Sequence, residues 1–450
     1  MASLAQHTYR VPRGAPGISR WRTSGRIYIA AALGYLLLLP PQLTAAIGSS
    51  QIAPYRFLLI PAALYVAACY LRGRVRFNAI DGLVLVATFW IGASLLVTTE
   101  LTEAFTAIVA QTTDIALSYF FARVIFRSEN DIRAFLVLMV PGFALIALAL
   151  GLEAAVGKFI VQDFFSELTG RGVDLETKYR LGFMRAAGPF PHPILAGMFF
   201  ATLLPLYLMS GIRNWPKWFG VALSFGAFFS FSSAAFLGFF ANAGLITYDW
   251  ICERLENVTW RLFLFLLGTA VLALELGTSS GTFGLLARYA ALDWTTAFYR
   301  SLIWEYGSAS VAANPWFGIG YADYVRPDWM PTRSVDNYWL GLAMQFGIVP
   351  PVLVALATAL AVFQVAKSAL SGALADRRFR RGISIAIAVF ALGLISVSIW
   401  LSAQVWYYML VGMAATLAHS GKAAEAPRMM MTPPARRAAP YRGRPALPAR

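Results

Sequence analysis

Charge is what this sequence has least of. Of its 450 residues only 13% are Asp, Glu, Lys or Arg, while 58% are hydrophobic and the mean hydropathy is +0.62. Soluble globular chains carry about 25% charged residues, so a water-soluble enzyme of this length is excluded. Cysteine is scarce as well. Cys69 and Cys252 lie far apart, each near the end of an apolar run, and offer neither a disulfide framework nor a metal-ligand spacing. The Arg-rich stretch from Arg10 to Arg26 lacks a small-residue cleavage site, so it reads as a retained tail and not as a signal peptide. There is no internal repeat, and no pair of interrupted apolar segments of the kind that marks inverted-repeat transporters.

Long apolar runs, in contrast, are abundant. Runs long enough to cross a bilayer lie near 27–48, 54–71, 80–98, 104–125, 134–152, 191–211, 216–232, 234–250, 261–279, 338–365, 382–399 and 402–418. The expectation is an all-α integral membrane protein with about 12 transmembrane helices. Sidedness follows from Lys and Arg placement. With the N-terminus inside, 27 of the 37 basic residues fall on the cytoplasmic side, so both termini are expected in the cytoplasm. This distribution accounts for the net charge of +15 without a nucleic-acid partner. Three parts are predicted: a basic cytoplasmic tail over 1–26, a transmembrane domain over 27–420 and a Pro-, Ala- and Arg-rich cytoplasmic tail over 421–450. The last of these cannot bury a core and is expected to be disordered near anionic lipid headgroups.

Two outer segments, about 153–190 and 280–337, are far longer than ordinary hairpin loops, and loops of that length are uncommon unless functional. Most of the outward basic residues lie in them. Lys158, Arg171, Lys178, Arg180 and Arg185 are in the first, and Arg288, Arg300, Arg326 and Arg333 in the second. These residues run against the positive-inside bias, which points to an anionic ligand on the outer face. Helical spacing over about 284–313 predicts an amphipathic surface helix between spans 9 and 10, with Arg300, Trp304 and Ser308 on one face. Asn314-Pro315 stops it, Gly318 and Gly320 mark a tight turn, and the chain re-enters the membrane at Asp336-Asn337-Tyr338-Trp339-Leu340.

The order of these pieces resembles the O-antigen ligase and O-antigen polymerase superfamily. The pieces are Arg300-x3-Trp304, then Asn314-Pro315-x-x-Gly318-x-Gly320, then Asp336 with Asn337-Tyr338-x-Leu340. FMRAAGPFPHPILAG (183–197) is similar to the family's Arg-x-x-Gly-x-x-x-His-Pro, and FSFSSAAFLG (229–238) to its serine-containing span. The resemblance covers roughly 180–350. It implies a periplasmic-face glycosyltransferase of the bacterial inner membrane. The donor would be an undecaprenyl-diphosphate-linked glycan and the acceptor a hydroxyl of lipid A–core or of another glycan. No Asp-x-Asp metal motif is present, which favours a lipid donor, a metal-independent reaction and no cofactor.

By the same resemblance, Arg185 and Arg300 are expected to bind the diphosphate, with Arg288 third, and Asp336 to activate or orient the acceptor hydroxyl. His192 and Asn337 are candidate supporting residues. Two positions depart from the pattern: Asp336 stands where the family usually has histidine, and Ser233 where many relatives have arginine. Structural roles compete at each position. The arginines serve equally as interfacial anchors, Asp336 as a helix cap, and His192 as a packed polar residue at a span mouth. Within the family an exopolysaccharide or O-antigen repeat-unit polymerase stays open beside the ligase. Outside it, a lipid-linked-oligosaccharide transporter or an inactive relative stays open.

Overall fold

The computed structural model describes residues 24–47, 50–172, 175–278, 294–330, 334–370 and 372–424. Helix makes up 73% of it, and strand is confined to two short hairpins. The tails expected at 1–26 and 421–450 lie almost wholly outside the described residues, as does Arg288.

Among the described residues, six helices are long and apolar enough to cross a bilayer: Ala79–Thr98, Leu101–Ile125, Glu129–Val156, Ser233–Cys252, Trp260–Gly277 and Val349–Ser368. Gly25–Leu37, Arg56–Leu71 and Pro193–Leu208 are shorter apolar helical segments. Helix Trp260–Gly277 buries none of its side chains, with Phe265 and Leu276 pointing outward. Only its first turns touch described neighbours, through Trp260 and Phe263. So much exposed apolar helix surface is stable in hydrocarbon and not in water, which points to lipid surroundings.

The apolar run 402–418 behaves in the opposite way. Helix Ser402–Ala424 is enclosed by its neighbours, and its side chains from Ser402 to Ala418 are buried in the protein. Trp406 packs against Phe143 and Phe199 and donates from Nε1 to Thr202 Oγ1 at 3.0 Å. Two other apolar runs are interrupted. Helix Trp215–Ser224 passes into a 3-10 turn, Phe225–Ser230, and Phe231 adopts φ 42 before Ser233–Cys252 begins. The run 338–365 is two helices, Tyr338–Phe346 and Val349–Ser368, parted at Gly347 with φ 84. A Cβ at Gly347 would sit 1.9 Å from the Trp316 carbonyl oxygen, so a neighbouring segment forces the break.

The buried carboxylates of Asp81, Asp114 and Asp249 are paired with arginines, as the cost of an isolated buried charge requires. Asp114, on a π-turn at Thr113–Leu117, accepts from Arg56 Nε at 2.9 Å, from Arg56 Nη2 at 2.7 Å and from Tyr55. Asp81 binds Arg123 and Tyr119. Ion pairs Arg26–Asp131, Arg133–Asp376, Arg380–Glu129 and Arg381–Asp249 gather at one end of the bundle. The 28-residue helix Glu129–Val156 starts in that cluster and carries Glu153 in its last turn, at the opposite end. There the Glu153 carboxylate accepts from the backbone N–H of Val161, Ala187 and Gly188, which fixes the stretch that carries Arg185.

Candidate functional site

At that opposite end, Tyr179–Arg180 pairs antiparallel with Phe183–Met184, and Arg185 N extends the ladder by donating to Lys178 O at 3.0 Å. Leu181 (φ 55) and Gly182 (φ 83) fill the two-residue turn. Both backbones are left-handed, as such a hairpin turn requires, and holding Leu181 there costs about 1–2 kcal/mol. Strand alternation then sets Lys178, Arg180, Phe183 and Arg185 on one face of the hairpin. Phe183 stacks on Phe231 with centroids 5.3 Å apart. The helix break at Phe231 leaves carbonyls unclaimed by any helix, and the arginines take them. Arg185 Nε donates to Ser230 O at 3.4 Å, and Arg180 Nη1 donates to Phe231 O and Ser233 Oγ, both at 3.1 Å.

The second wall comes from helix Trp294–Ala313. Its buried positions Ala297, Arg300, Ile303 and Gly307 form one face, while Trp304 points outward. The face is therefore offset from the expected Arg300–Trp304–Ser308 line. Gly307 allows close approach to Leu340 and Met344, where an added Cβ would come within 2.9 Å of both side chains. Beyond Asn314-Pro315 the chain crosses the end of helix Tyr338–Phe346. Ile319 N donates to Met344 O at 2.8 Å and Gly320 N to Gln345 O at 2.9 Å. Gly318 and Gly320 have φ +66 and +61, and a Cβ on Gly318 would lie 2.4 Å from the Met344 carbonyl oxygen. These contacts clamp the helix that carries Arg300 onto the bundle.

Arg300 is 9% exposed and donates from Nη2 to Ser396 O at 3.1 Å. Among the described residues its Nε and Nη1 are buried with no hydrogen-bond partner. Unsatisfied buried donors are rare and costly, more so on a cation. Asp336 is half-buried and accepts from Ser334 Oγ at 2.8 Å. Asn337, and not Asp336, caps helix Tyr338–Phe346, its side chain accepting from Leu340 N at 3.0 Å. The cap role that competed for Asp336 is thus filled by its neighbour, and Asn337 is committed to structure.

A family model described as O-antigen ligase matches residues 218–356. Those residues form an O-antigen ligase family domain. No curated protein matches the chain. The matched interval holds Ser233, Arg300, Asp336 and Asn337, whereas Arg180, Arg185 and His192 precede it. The fold joins the two groups, because the hairpin arginines bond to Ser230, Phe231 and Ser233 inside the O-antigen ligase domain.

Electrostatics unites them further. Burial, then the charge of Arg180, lowers the Arg185 pKa to about 10, and Asp336 opposes the shift. Burial also lowers Arg300, with Asp336 opposing and Arg180 adding to the effect. Arg185 and Arg300 remain cations at neutral pH. His192 is driven down to about 4, first by burial and then by Arg185. Its Nδ1 accepts from Ile194 N at 3.2 Å as the cap of helix Pro193–Ala201. A neutral ring with Nδ1 occupied keeps its proton on Nε2, so His192 is built as a hydrogen-bond donor and not as a base.

Arg185, Arg300, Asp336 and His192, all expected from the sequence, thus meet in one electrostatic neighbourhood. Arg180 was visible as an outward basic residue but not as a site member. Its signal was the Tyr-Arg-Leu-Gly-Phe-Met pattern, in which two turn residues separate two short strands. Among the described residues, no group of three or more His, Cys, Asp or Glu side chains is placed to hold a metal ion.

Proposed function

We propose that the protein transfers a glycan from undecaprenyl diphosphate to an acceptor hydroxyl at the periplasmic face of a bacterial inner membrane, without a metal ion. In this reading the chain crosses the membrane about twelve times with both termini in the cytoplasm. The observation that carries the proposal is the pair of buried nitrogens on Arg300 that are unpartnered among the described residues, with the charges of Arg180 and Asp336 acting on both Arg300 and Arg185. Such a basin has a surplus of positive charge that only an anion relieves.

The acceptor oxygen attacks the anomeric carbon of the donor sugar. The bond from that carbon to the phosphate oxygen breaks, and undecaprenyl diphosphate leaves with the electron pair. Arg185 and Arg300 face the charge that gathers on it, and fixed cations away from bulk water stabilise such charge strongly. Arg288 is a third ligand in this reading. Asp336 orients the acceptor hydroxyl and takes its proton, and His192 Nε2–H donates a hydrogen bond within the basin.

Purified protein incubated in EDTA with an undecaprenyl-diphosphate-linked oligosaccharide and lipid A–core is expected to transfer the glycan, and Arg300→Ala to abolish transfer. Transfer to a second donor molecule in place of lipid A–core identifies a repeat-unit polymerase. No transfer to either acceptor, with no donor binding, refutes the proposal.

A further inference from the structure

The eight residues 394–401 join helix Leu374–Gly393 to helix Ser402–Ala424, and the separate parts of the site are tied to them. Arg300 Nη2 donates to Ser396 O at 3.1 Å. Ser398 Oγ donates to Val335 O, next to Asp336. Tyr338 N donates to Leu394 O at 2.9 Å and to Val397 O at 3.2 Å. The Trp400 indole lies by the His192 ring, with centroids 6.3 Å apart and planes tilted by 56°. Leu394, Val397 and Ile399 are buried in the core, whereas Trp400 is 39% exposed. Leu401 follows with φ 51, in the left-handed region that bulky residues seldom occupy. The segment is thus pinned at several points, and the one large side chain it exposes stands beside His192, two residues from the bond to Val335.

Trp400 is placed unlike an interfacial anchor. Trp215 and Trp218 project from a helix, 66% and 63% exposed, as residues of a membrane-interface belt do. Trp400 instead hangs from a non-helical segment bonded to both Arg300 and the stretch that carries Asp336. Its Nε1 has no hydrogen-bond partner among the described residues, whereas Trp339 and Trp406 on neighbouring helices donate to Ala391 O and Thr202 Oγ1.

A pyranose ring offers a face of C–H groups and a rim of hydroxyls. The C–H face is apolar and slightly positive, which matches the negative face of an indole. The rim calls for a hydrogen-bond donor and an acceptor, and His192 Nε2–H and the Asp336 carboxylate supply one of each. A phosphate has no apolar face to lay on Trp400, and a polyprenyl chain has no hydroxyls for the rim.

We infer that Trp400 is a sugar-stacking platform, on which a pyranose ring of the glycan substrate lies while its hydroxyls meet His192 and Asp336. The inference rests on the glycan-transfer reading above and adds the residue that recognises the sugar. The ring belongs to the lipid-linked donor or to the acceptor, and the probes of the test separate the two.

Binding to the full chain in nanodiscs is measured for two pairs of probes. One pair is undecaprenyl diphosphate with and without an attached oligosaccharide, the other lipid A with and without its core sugars. Burying about 60–100 Å² of apolar surface between ring and indole corresponds to about 10- to 100-fold in affinity. Trp400→Ala is therefore expected to weaken at least one sugar-bearing probe by that factor and its sugar-free counterpart, which loses no such contact, by less than about 3-fold. The pair that responds identifies the source of the ring. Trp400→Phe keeps a flat face and is expected to retain most of the affinity. Trp400→Leu keeps only apolar bulk and is expected to lose it as Trp400→Ala does. Equal losses for the two members of a pair mark an interfacial anchor and overturn the inference, as does no loss with either sugar-bearing probe. Should Trp400→Ala lower the thermal midpoint of the ligand-free protein, the comparison of Trp400→Phe with Trp400→Leu decides, and equal binding by those two overturns the inference. Arg300→Gln separates the two levels, because the glycan-transfer reading requires it to weaken both undecaprenyl diphosphate probes. If it does so while the Trp400 variants bind like wild type, only the role of Trp400 fails. If wild type binds neither sugar-bearing probe, the glycan-transfer reading fails and the inference falls with it.

Discussion

Replacing Arg300 with methionine distinguishes a ligand-binding arginine from a structural one. Methionine keeps the length of the side chain and removes the charge. In the donor-free protein the substitution deletes two buried, unpartnered N–H groups, Nε and Nη1, and one hydrogen bond to Ser396 O. Each unsatisfied buried donor costs about 1–3 kcal/mol, and an ordinary hydrogen bond contributes about 1 kcal/mol. The donor-free variant is therefore expected to be more stable than wild type by about 1–5 kcal/mol. In a chain of this length each 1 kcal/mol raises the thermal midpoint by at most about 2 °C. Donor binding moves the other way. Loss of two charge-assisted hydrogen bonds, each about 1.5–3 kcal/mol, weakens affinity about 100-fold or more. A donor present at 100 times the wild-type Kd stabilises wild type by about 2.7 kcal/mol and the variant by only about 0.4 kcal/mol. Thermal unfolding in nanodiscs, with and without donor lipid, reads both signs in one experiment. A lower midpoint without donor, together with an undiminished donor-induced rise, would show Arg300 to be a strut and refute the reasoning.

Asp336→Asn is expected to lower kcat by about 100- to 10,000-fold, the usual contribution of a positioned proton acceptor. Donor affinity should hold or improve because a negative charge leaves the basin; unchanged kcat removes Asp336 as the base. His192 is held at about 4 against an ordinary value of about 6.5, so between those values the unfolded chain binds the proton and the folded chain resists it. Donor-free stability is therefore lost as pH falls from about 6.5 towards about 4, and His192→Gln flattens that part of the thermal-midpoint profile; an identical slope in the variant removes His192 as the cause. Gly318→Ala meets both a left-handed backbone and the Met344 carbonyl, and should cost about 1–3 kcal/mol and reduce transfer by displacing Arg300. Wild-type melting and transfer would show that this strap does not hold the helix.

Much of the site was legible in the sequence as a list, and little of it as a place. The misplaced positive charge of the two outer segments and the motif order were enough to single out Arg185, Arg300, Asp336 and His192. Roles were harder to read. Asp336 and Asn337 are adjacent and both are good cap residues, and only the backbone hydrogen bond to Leu340 N shows that Asn337 takes that role. Arg180 looked like any loop arginine until pairing register placed it on the face of the hairpin that meets the Phe231 break. The buried pair of Asp114 was equally hidden, since Arg56 lies 58 residues away.

Composition and local periodicity by themselves determined that the chain is helical and embedded in lipid, because bilayer insertion depends on the apolar content of each run taken alone. They also marked the long segments at about 153–190 and 280–337 as unusual, because a charge bias is a property of counts. The tertiary structure alone decided which apolar runs face lipid and which, like Ser402–Ala418, are enclosed by protein. It decided as well that the run 338–365 breaks at Gly347, under the Trp316 carbonyl. Most of all, it brought a hairpin near residue 180, a helix break near 231, an arginine at 300 and a carboxylate at 336 into one basin. Contacts across such separations depend on how helices pack, and packing is a property of pairs of surfaces that no single stretch of sequence contains.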